Sequence, residues 1–337
     1  MIDTFTGNDA NDVWLSAVEL FRNGARVRRQ KSRAGLTKEI LHVGFAIADP
    51  RQRWVISRFP TLNPAFAIVE VVWILTGRRD SKFLNYWNPQ LPKYAGICRE
   101  YHGAYGYRLK YHFGIDQLLR AFEVLKRNPD SRQVLLQIWD PEIDLPTSEG
   151  RPTSEDIPCN VISLLKVRGK KLEWLQVIRS NDIFLGVPYN FVQFTYLQEV
   201  MAGWLKLKLG SYNQISDSLH IYKKASKDVF SSSKIVPEKN TDVLVEDKEL
   251  SDALFQEMAQ RIGEIARKDV NREQVLAAAN WSTVPMAYQN MLRVVAAEAA
   301  RKAGLFETAR EIMHSCTNPA FVQLWQMWLS RTSKRKS

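Results

Sequence analysis

An α+β fold with a helical C-terminal extension is what the sequence predicts, and three observations predict it. Segments of strand and helix character mix without a regular strand–helix–strand beat. The β-rich stretches surround one long apolar helical run at 191–205. Beyond about residue 250 only helical patterns occur. At 337 residues, 45% apolar and 25% charged, the chain can bury one large core and has the balance of a soluble globular protein.

Taken in order, Ala10 to Gly24 reads as an amphipathic helix with Trp14, Val18, Leu20 and Phe21 near one face, and Lys31 to Gly35 as a loop. Ile40 to Ile47 looks like a buried strand closed by Asp49-Pro50. Asn63-Pro64 opens a helix that Gly77 stops, because proline in a first turn lacks only an N–H the helix does not use. Ile115 to Arg127 is a further helix, ended by Asn128-Pro129-Asp130. Val134 to Trp139, Val161 to Val167 and Leu172 to Arg179 have strand character, and Phe191 to Leu205 is an apolar helix buried on several sides. Lys234 to Lys248 is polar and reads as a linker. Helical patterns follow at Leu250–Arg267, Met286–Ala303, Leu305–His314 and Pro319–Leu329, with Gly304 where a C′ residue belongs. The expected division is a mixed domain over 1–230 and a helical extension over 231–337 that serves packing or oligomerisation.

No apolar run approaches the length of a membrane span, and the N-terminus lacks a basic region followed by an apolar core. The three cysteines, Cys98, Cys159 and Cys316, are odd in number and far apart, which argues against a disulfide framework and for a reducing cytoplasm. No Cys or His spacing suggests a metal. The net charge of +11 fits an anionic ligand. Its clusters at Arg26 to Arg33 and Ser333 to Lys336 read as a solvated face and a tail, and no zinc-finger or RNP-like motif supports a nucleic-acid partner.

Buried cysteines are usually inert small hydrophobes, the reading given to Cys98 and Cys316. Cys159 differs: Pro158 fixes the backbone before it, and nearby arginines can support a thiolate. Downstream, Arg179-Ser180 offers a fork of donors for an oxyanion and Asn190 a carboxamide able to read a polar heterocycle. Glu70 interrupts an apolar helix, where an unpaired carboxylate is costly.

Six blocks occur in a fixed order: Glu70-Val71-Val72-Trp73-Ile74-Leu75-Thr76-Gly77, Gly103-Ala104-Tyr105-Gly106, Asn128-Pro129-Asp130-Ser131-Arg132, Pro158-Cys159, Arg179-Ser180-Asn181-Asp182 with Gly186-Val187-Pro188-Tyr189-Asn190, and His220-Ile221-Tyr222. Over roughly residues 12–225 the chain resembles the thymidylate synthase and pyrimidine-nucleotide hydroxymethylase superfamily. The resemblance implies a mixed sheet with packed helices and one-carbon transfer from 5,10-methylenetetrahydrofolate to C5 of a pyrimidine nucleotide. Cys159 would add to C6, making C5 nucleophilic. Arg33, Arg179 and Ser180 would bind the phosphate, and Arg132 would reach the partner's phosphate site in a homodimer. Glu70 would relay protons toward O4 and the folate, Tyr105 would help remove the C5 proton, and Asp182 and Gly186 would meet the folate. His220 and Tyr222 would bind the 3′ hydroxyl; a core histidine and a core tyrosine at 105 are the plainer readings. Asn190 would donate to O4 of uracil and accept from N3–H, whereas cytosine hydroxymethylases typically carry Asp there; its plainer role is to cap a helix starting at Phe191.

Four features depart from the pattern: Gln133 in place of a second arginine, Asn160 in place of His, the spacing of Asp217-Ser218-Leu219-His220, and a last stretch, Ser333 to Ser337, unlike the short apolar tail that closes over folate. The first expectation is conversion of dUMP to dTMP. Hydroxymethylation of dUMP, dCMP or CMP is the alternative, because Arg179 to Asp182, Phe194-Thr195 and Ser218 to His220 look like a hydroxymethylase branch. A catalytically silent nucleotide-binding protein is a third.

Overall fold

The computed structural model describes residues 2–24, 26–32, 35–232 and 234–333. The first half of the chain runs β1 (Asp3–Gly7), α1 (Ala10–Asn23), β2 (Arg28–Ser32), β3 (Gly35–Ile47), α2 (Pro64–Leu75) and three short helices, α3 (Ser81–Asn85), α4 (Pro92–Ala95) and α5 (Tyr105–Tyr107). A π-helical turn over Arg108–His112 leads to α6 (Gln117–Arg127), β4 (Leu135–Gln137) and α7 (Pro141–Asp144). Then come β5 (Asn160–Arg168), β6 (Lys171–Asp182), α8 (Val187–Trp204), β7 (Lys208–Tyr222) and α9 (Ser226–Phe230). The chain finishes with α10 (Lys248–Ile265), α11 (Arg272–Ala279), α12 (Met286–Lys302), α13 (Phe306–His314) and α14 (Pro319–Ser333).

The strands form one mixed sheet ordered β1-β3-β7-β6-β5-β4, with β2 as a hairpin arm on β3. β1 is parallel to β3 and β6 to β7; the other pairs are antiparallel. Alternate residues on one face, among them Val43, Phe45, Trp174, Ile178 and Tyr212, are buried. Phe45 meets Phe191 of α8 edge to face, 5.4 Å between centroids, and Trp14 of α1 donates to the carbonyl of Ile183 at 2.7 Å.

α2 starts where Asn63-Pro64 predicts, with the Asn63 side chain accepting from Phe66 N at 3.1 Å. Every residue of α2 is buried except Glu70, because α8 covers one side and α10, α12 and α14 cover others. One hydrophobic core runs from α1 to α14. The 234–247 stretch has no regular structure, yet it is held: Asn240 donates to Arg51 O at 2.9 Å, and Asn318 and Asn290 donate to the Asp242 carboxylate at 2.7 and 3.0 Å.

Two expectations need correcting. The long apolar helix begins at Val187, not Phe191, with Pro188 in its first turn, so Asn190 lies inside it and its N–H bonds to Gly186 O at 2.9 Å. Asn190 is therefore not a cap. The segment beginning at Lys31, expected as loop, is the end of strand β2 as far as Ser32, an exposed edge whose five residues carry no apolar alternation.

Candidate active site

Cys159 stands immediately before β5, and its carbonyl accepts from Arg179 N of β6 at 2.9 Å. The Arg179 guanidinium turns back on the same loop, donating from Nε to Pro158 O at 2.9 Å and from Nη2 to Ile157 O at 3.2 Å. A cation is thus fixed against the two residues that precede the thiol. The parallel register of β6 and β7 sets Ser180 beside Ser218 and Asp182 beside His220. The His220 and Tyr222 rings meet edge to face at 5.4 Å.

Tyr105 arrives from α5. Its approach is anchored by Gly103 N donating to the Asp156 carboxylate at 2.8 Å, and a Cβ at Gly103 would lie 2.9 Å from Asp156 O. Burial, and then the neighbouring Cys159 thiol, push the Tyr105 phenol well above its ordinary range, with Asn160 acting in the opposite sense. So reluctant an acid stays a phenol at neutral pH.

Glu70 faces α8 from α2. Its Oε2 is buried without a hydrogen-bond partner, and burial lifts its pKa from 4.5 to about 7, Gln193 opposing the shift. Gln193, one turn along α8 from Asn190, accepts from Asn190 Nδ2 at 3.1 Å. Tyr189 OH accepts from Asn63 N at 3.0 Å, which pins the start of α8 to the start of α2.

Asp182 ends β6. Its Oδ1 accepts from the N–H groups of Phe184 and Leu185 at 2.7 and 2.8 Å, forming the turn into α8, while Oδ2 is buried and unpartnered. Burial raises its pKa, against the Leu185 amide, His220, the Phe184 amide and Arg58. Gly186 fits only because it has no side chain: a Cβ there would meet Asn181 Oδ1 at 2.5 Å. An acceptor such as Asp182 Oδ2 suits the ring N–H groups of a pterin, so these residues fit the folate that the resemblance implies.

Beneath the site lie two buried hydrogen-bonded rows. In one, Ser163 donates to Gln176 at 2.5 Å and Gln176 to Asn160 Oδ1 at 3.1 Å, leaving Asn160 Nδ2 buried and unpartnered. In the other, Tyr212 donates to Gln214 at 3.0 Å, and Gln214 and Asn181 donate to Ser216 Oγ at 3.4 and 3.0 Å.

Thus Cys159, Glu70, Tyr105, Arg179 and Asn190, with Ser180, Asp182, Gly186, His220 and Tyr222, lie along the adjoining ends of β5, β6 and β7 and on three helices, α2, α5 and α8. Arg33 falls outside the described residues. Arg132 is exposed just before β4, where Val134 O pairs with Leu165 N toward the far end of β5. Within one chain it is not brought to Cys159. Two residues were missed. Gln193 belongs to no motif, and its signal was a glutamine inside an apolar helix. Arg58 is buried beside Asp182, donates to Phe184 O at 2.7 Å and lies 4.0 Å from the Phe184 ring; an arginine within Trp54 to Pro60 was its signal. No group of three or more His, Cys, Asp or Glu able to hold a metal occurs among the described residues, and no helix described is long and apolar enough to cross a membrane.

Among known proteins, the chain is 30% identical over 230 residues to a deoxyuridylate hydroxymethyltransferase of Bacillus phage SP01, covering 65% of this chain and 58% of that one. It is 35% identical over 162 residues to a deoxyuridylate hydroxymethyltransferase of Pseudomonas phage M6, covering 48% and 45%. A putative thymidylate synthase of Methanothermobacter marburgensis is 30% identical over 214 residues, covering 62% and 88%. The chain spans about half the length of the phage relatives it matches. The thymidylate synthase family model matches residues 36–271, a span that takes in Glu70, Cys159, Arg179 and Asn190 together with the sheet that gathers them, and the chain belongs to that family.

Proposed function

We propose that the protein hydroxymethylates dUMP at C5, using 5,10-methylenetetrahydrofolate, through a covalent adduct at Cys159. The observation that carries this reading is the pair of buried carboxylate oxygens left without a protein partner on either side of the base-reading amide, Glu70 Oε2 and Asp182 Oδ2. Buried polar atoms left in this state call for water or ligand. A methyl product requires water to be kept from the activated carbon, whereas a hydroxymethyl product requires water to add there. The phage relatives named deoxyuridylate hydroxymethyltransferases support the same choice. It reverses the order of the two products expected from sequence.

Bound folate supplies a one-carbon unit at the oxidation level of formaldehyde. The chain's residues do the rest. The Cys159 thiolate adds to C6, and the fixed Arg179 guanidinium favours that thiolate while its remaining donors and Ser180 hold the phosphate. Asn190 holds the uracil edge. Glu70, which changes protonation near neutrality, moves a proton at O4 through water, so charge that builds on the ring is neutralised. Tyr105 hydrogen-bonds near C5, and Asp182 orients the pterin. C5 takes the one-carbon unit and gives up its proton, water adds to that carbon as tetrahydrofolate leaves, and loss of the Cys159 thiolate from C6 then restores the aromatic ring.

The sheet face away from α1 and α8 carries Leu164, Leu175, Ile162, Val177 and Ile215 in lateral register, an apolar strip that suits a second copy of the chain. In such a homodimer the exposed Arg132 serves the partner's phosphate site. A cytoplasmic location suits the nucleotide and folate substrates.

Incubation with dUMP and 5,10-methylenetetrahydrofolate, followed by mass analysis of the nucleotide, tests the reaction. The expected product is 5-hydroxymethyl-dUMP with no rise in dihydrofolate absorbance; dTMP with stoichiometric dihydrofolate would replace this reading with thymidylate synthesis.

A further inference from the structure

Asn190 alone does not decide between uracil and cytosine. Its carboxamide has one acceptor and two donors, and a half-turn of the amide exchanges them. What fixes the half-turn lies behind it. Asn190 Nδ2 donates to Gln193 Oε1 at 3.1 Å, and both residues are buried, at 7% and 4% exposure. Gln193 in turn acts on the Glu70 carboxyl as a hydrogen-bond donor. With its oxygen turned to Asn190, Gln193 has its NH2 left to offer to the Glu70 carboxyl, the sense in which it opposes that group's burial shift. That oxygen needs a donor, and Asn190 Nδ2 is the donor it has.

We propose that Gln193 is a specificity-determining positioning residue: by holding Asn190 Nδ2, it fixes the amide in the orientation that matches uracil and penalises the one that matches cytosine. The inference rests on the reading of Asn190 as the base contact. In the held orientation, Asn190 Oδ1 accepts from N3–H and the second Nδ2 proton serves O4. Cytosine offers an acceptor at N3 and a donor at the exocyclic amine, so it asks for the half-turned amide. That turn sets two oxygens, Asn190 Oδ1 and Gln193 Oε1, against each other in a buried site and removes the hydrogen bond between them. Leaving a buried acceptor unpaired in this way corresponds to about 10- to 100-fold discrimination.

The test compares dUMP and dCMP in the full-length protein, by calorimetric binding of each nucleotide and by kcat and KM separately. Gln193→Met keeps the length and removes both hydrogen bonds. It is expected to lower the dUMP-over-dCMP preference by about 10- to 100-fold, in binding and KM more than in kcat. Gln193→Glu keeps an acceptor toward Asn190 Nδ2 and is expected to hold the preference within about threefold of wild type, a rescue that a packing role would not give. An unchanged preference in a folded Gln193→Met protein would overturn the proposal, as would a Gln193→Glu protein that loses the preference as fully as Gln193→Met. Should Gln193→Met not fold, Gln193→Leu, which also removes both hydrogen bonds, is read by the same criterion beside Gln193→Glu. Wild-type protein that binds neither nucleotide fails the base-site reading itself, a result visible before any variant is made.

Discussion

Two carboxylates with buried oxygens, Asp144 and Glu70, meet opposite fates. Asp144, 2% exposed, accepts from Arg108 at 2.5 and 3.0 Å, from His102 Nε2 at 2.8 Å and from Asp140 N at 2.8 Å. Burial pushes its pKa up, but the Arg108 pair and the other donors outweigh it, and the carboxyl ends below its ordinary value. Glu70 has no cation against it and keeps an orphan oxygen, so burial wins and its pKa reaches about 7. The first arrangement holds the π-helical turn at Arg108 to α7. The second leaves a carboxyl poised to exchange a proton near neutral pH. What separates the two is the cation: Arg108 accompanies Asp144, and none accompanies Glu70.

Variants can break that contrast. Cys159→Ala removes the nucleophile from the unsatisfied cluster and is expected to lower turnover by more than about 1000-fold while dUMP binding, read by calorimetry, persists. Asp144→Ala removes a partner from the satisfied cluster and leaves Arg108 buried and unpaired. It is expected to cost about 3–5 kcal/mol in urea unfolding, the largest stability loss among these changes. Glu70→Gln is expected to reduce kcat by about 100- to 1000-fold without a comparable loss of stability.

The pH dependence sharpens the comparison further. Because Glu70 binds its proton more tightly folded than unfolded, its contribution to stability is full below 4.5 and is lost as pH rises through about 7. Relative to wild type, Glu70→Gln should therefore gain stability from pH 5 to pH 8, on the order of 1–3 kcal/mol in urea midpoints measured across that range. Asp144, with its pKa lowered, has the opposite sign: its stabilisation is present above the unfolded pKa and is lost as pH falls through the folded one. The smallest effect is expected on the surface, where Arg272→Ala breaks the exposed pair with Glu311 at 2.9 Å and should change stability by less than about 0.5 kcal/mol.

Much of the frame was legible because punctuation and periodicity agreed. Asn63-Pro64 gave the start of α2, and the Glu70 carboxylate stood out against ten apolar neighbours and a proline. β7 was not legible as a strand: its buried positions include Gly210, Gln214 and Ser216, so alternation in burial is not alternation in hydrophobicity. α11 was missed although Asn271 and Gln274 form a capping box, because its short apolar pattern is weak. Motif order located Cys159, Arg179 and Asn190, but Gln193 and Arg58 act through contacts between elements distant in sequence.

The unsatisfied cluster around Cys159 is the central claim, and trapping the nucleotide tests it most directly. 5-Fluoro-dUMP with 5,10-methylenetetrahydrofolate should form an adduct that stalls, because fluorine at C5 cannot leave as a proton does. Peptide mass mapping is expected to find nucleotide and folate together on the peptide carrying Cys159. No adduct, or label on Cys98 or Cys316 instead, would contradict the account.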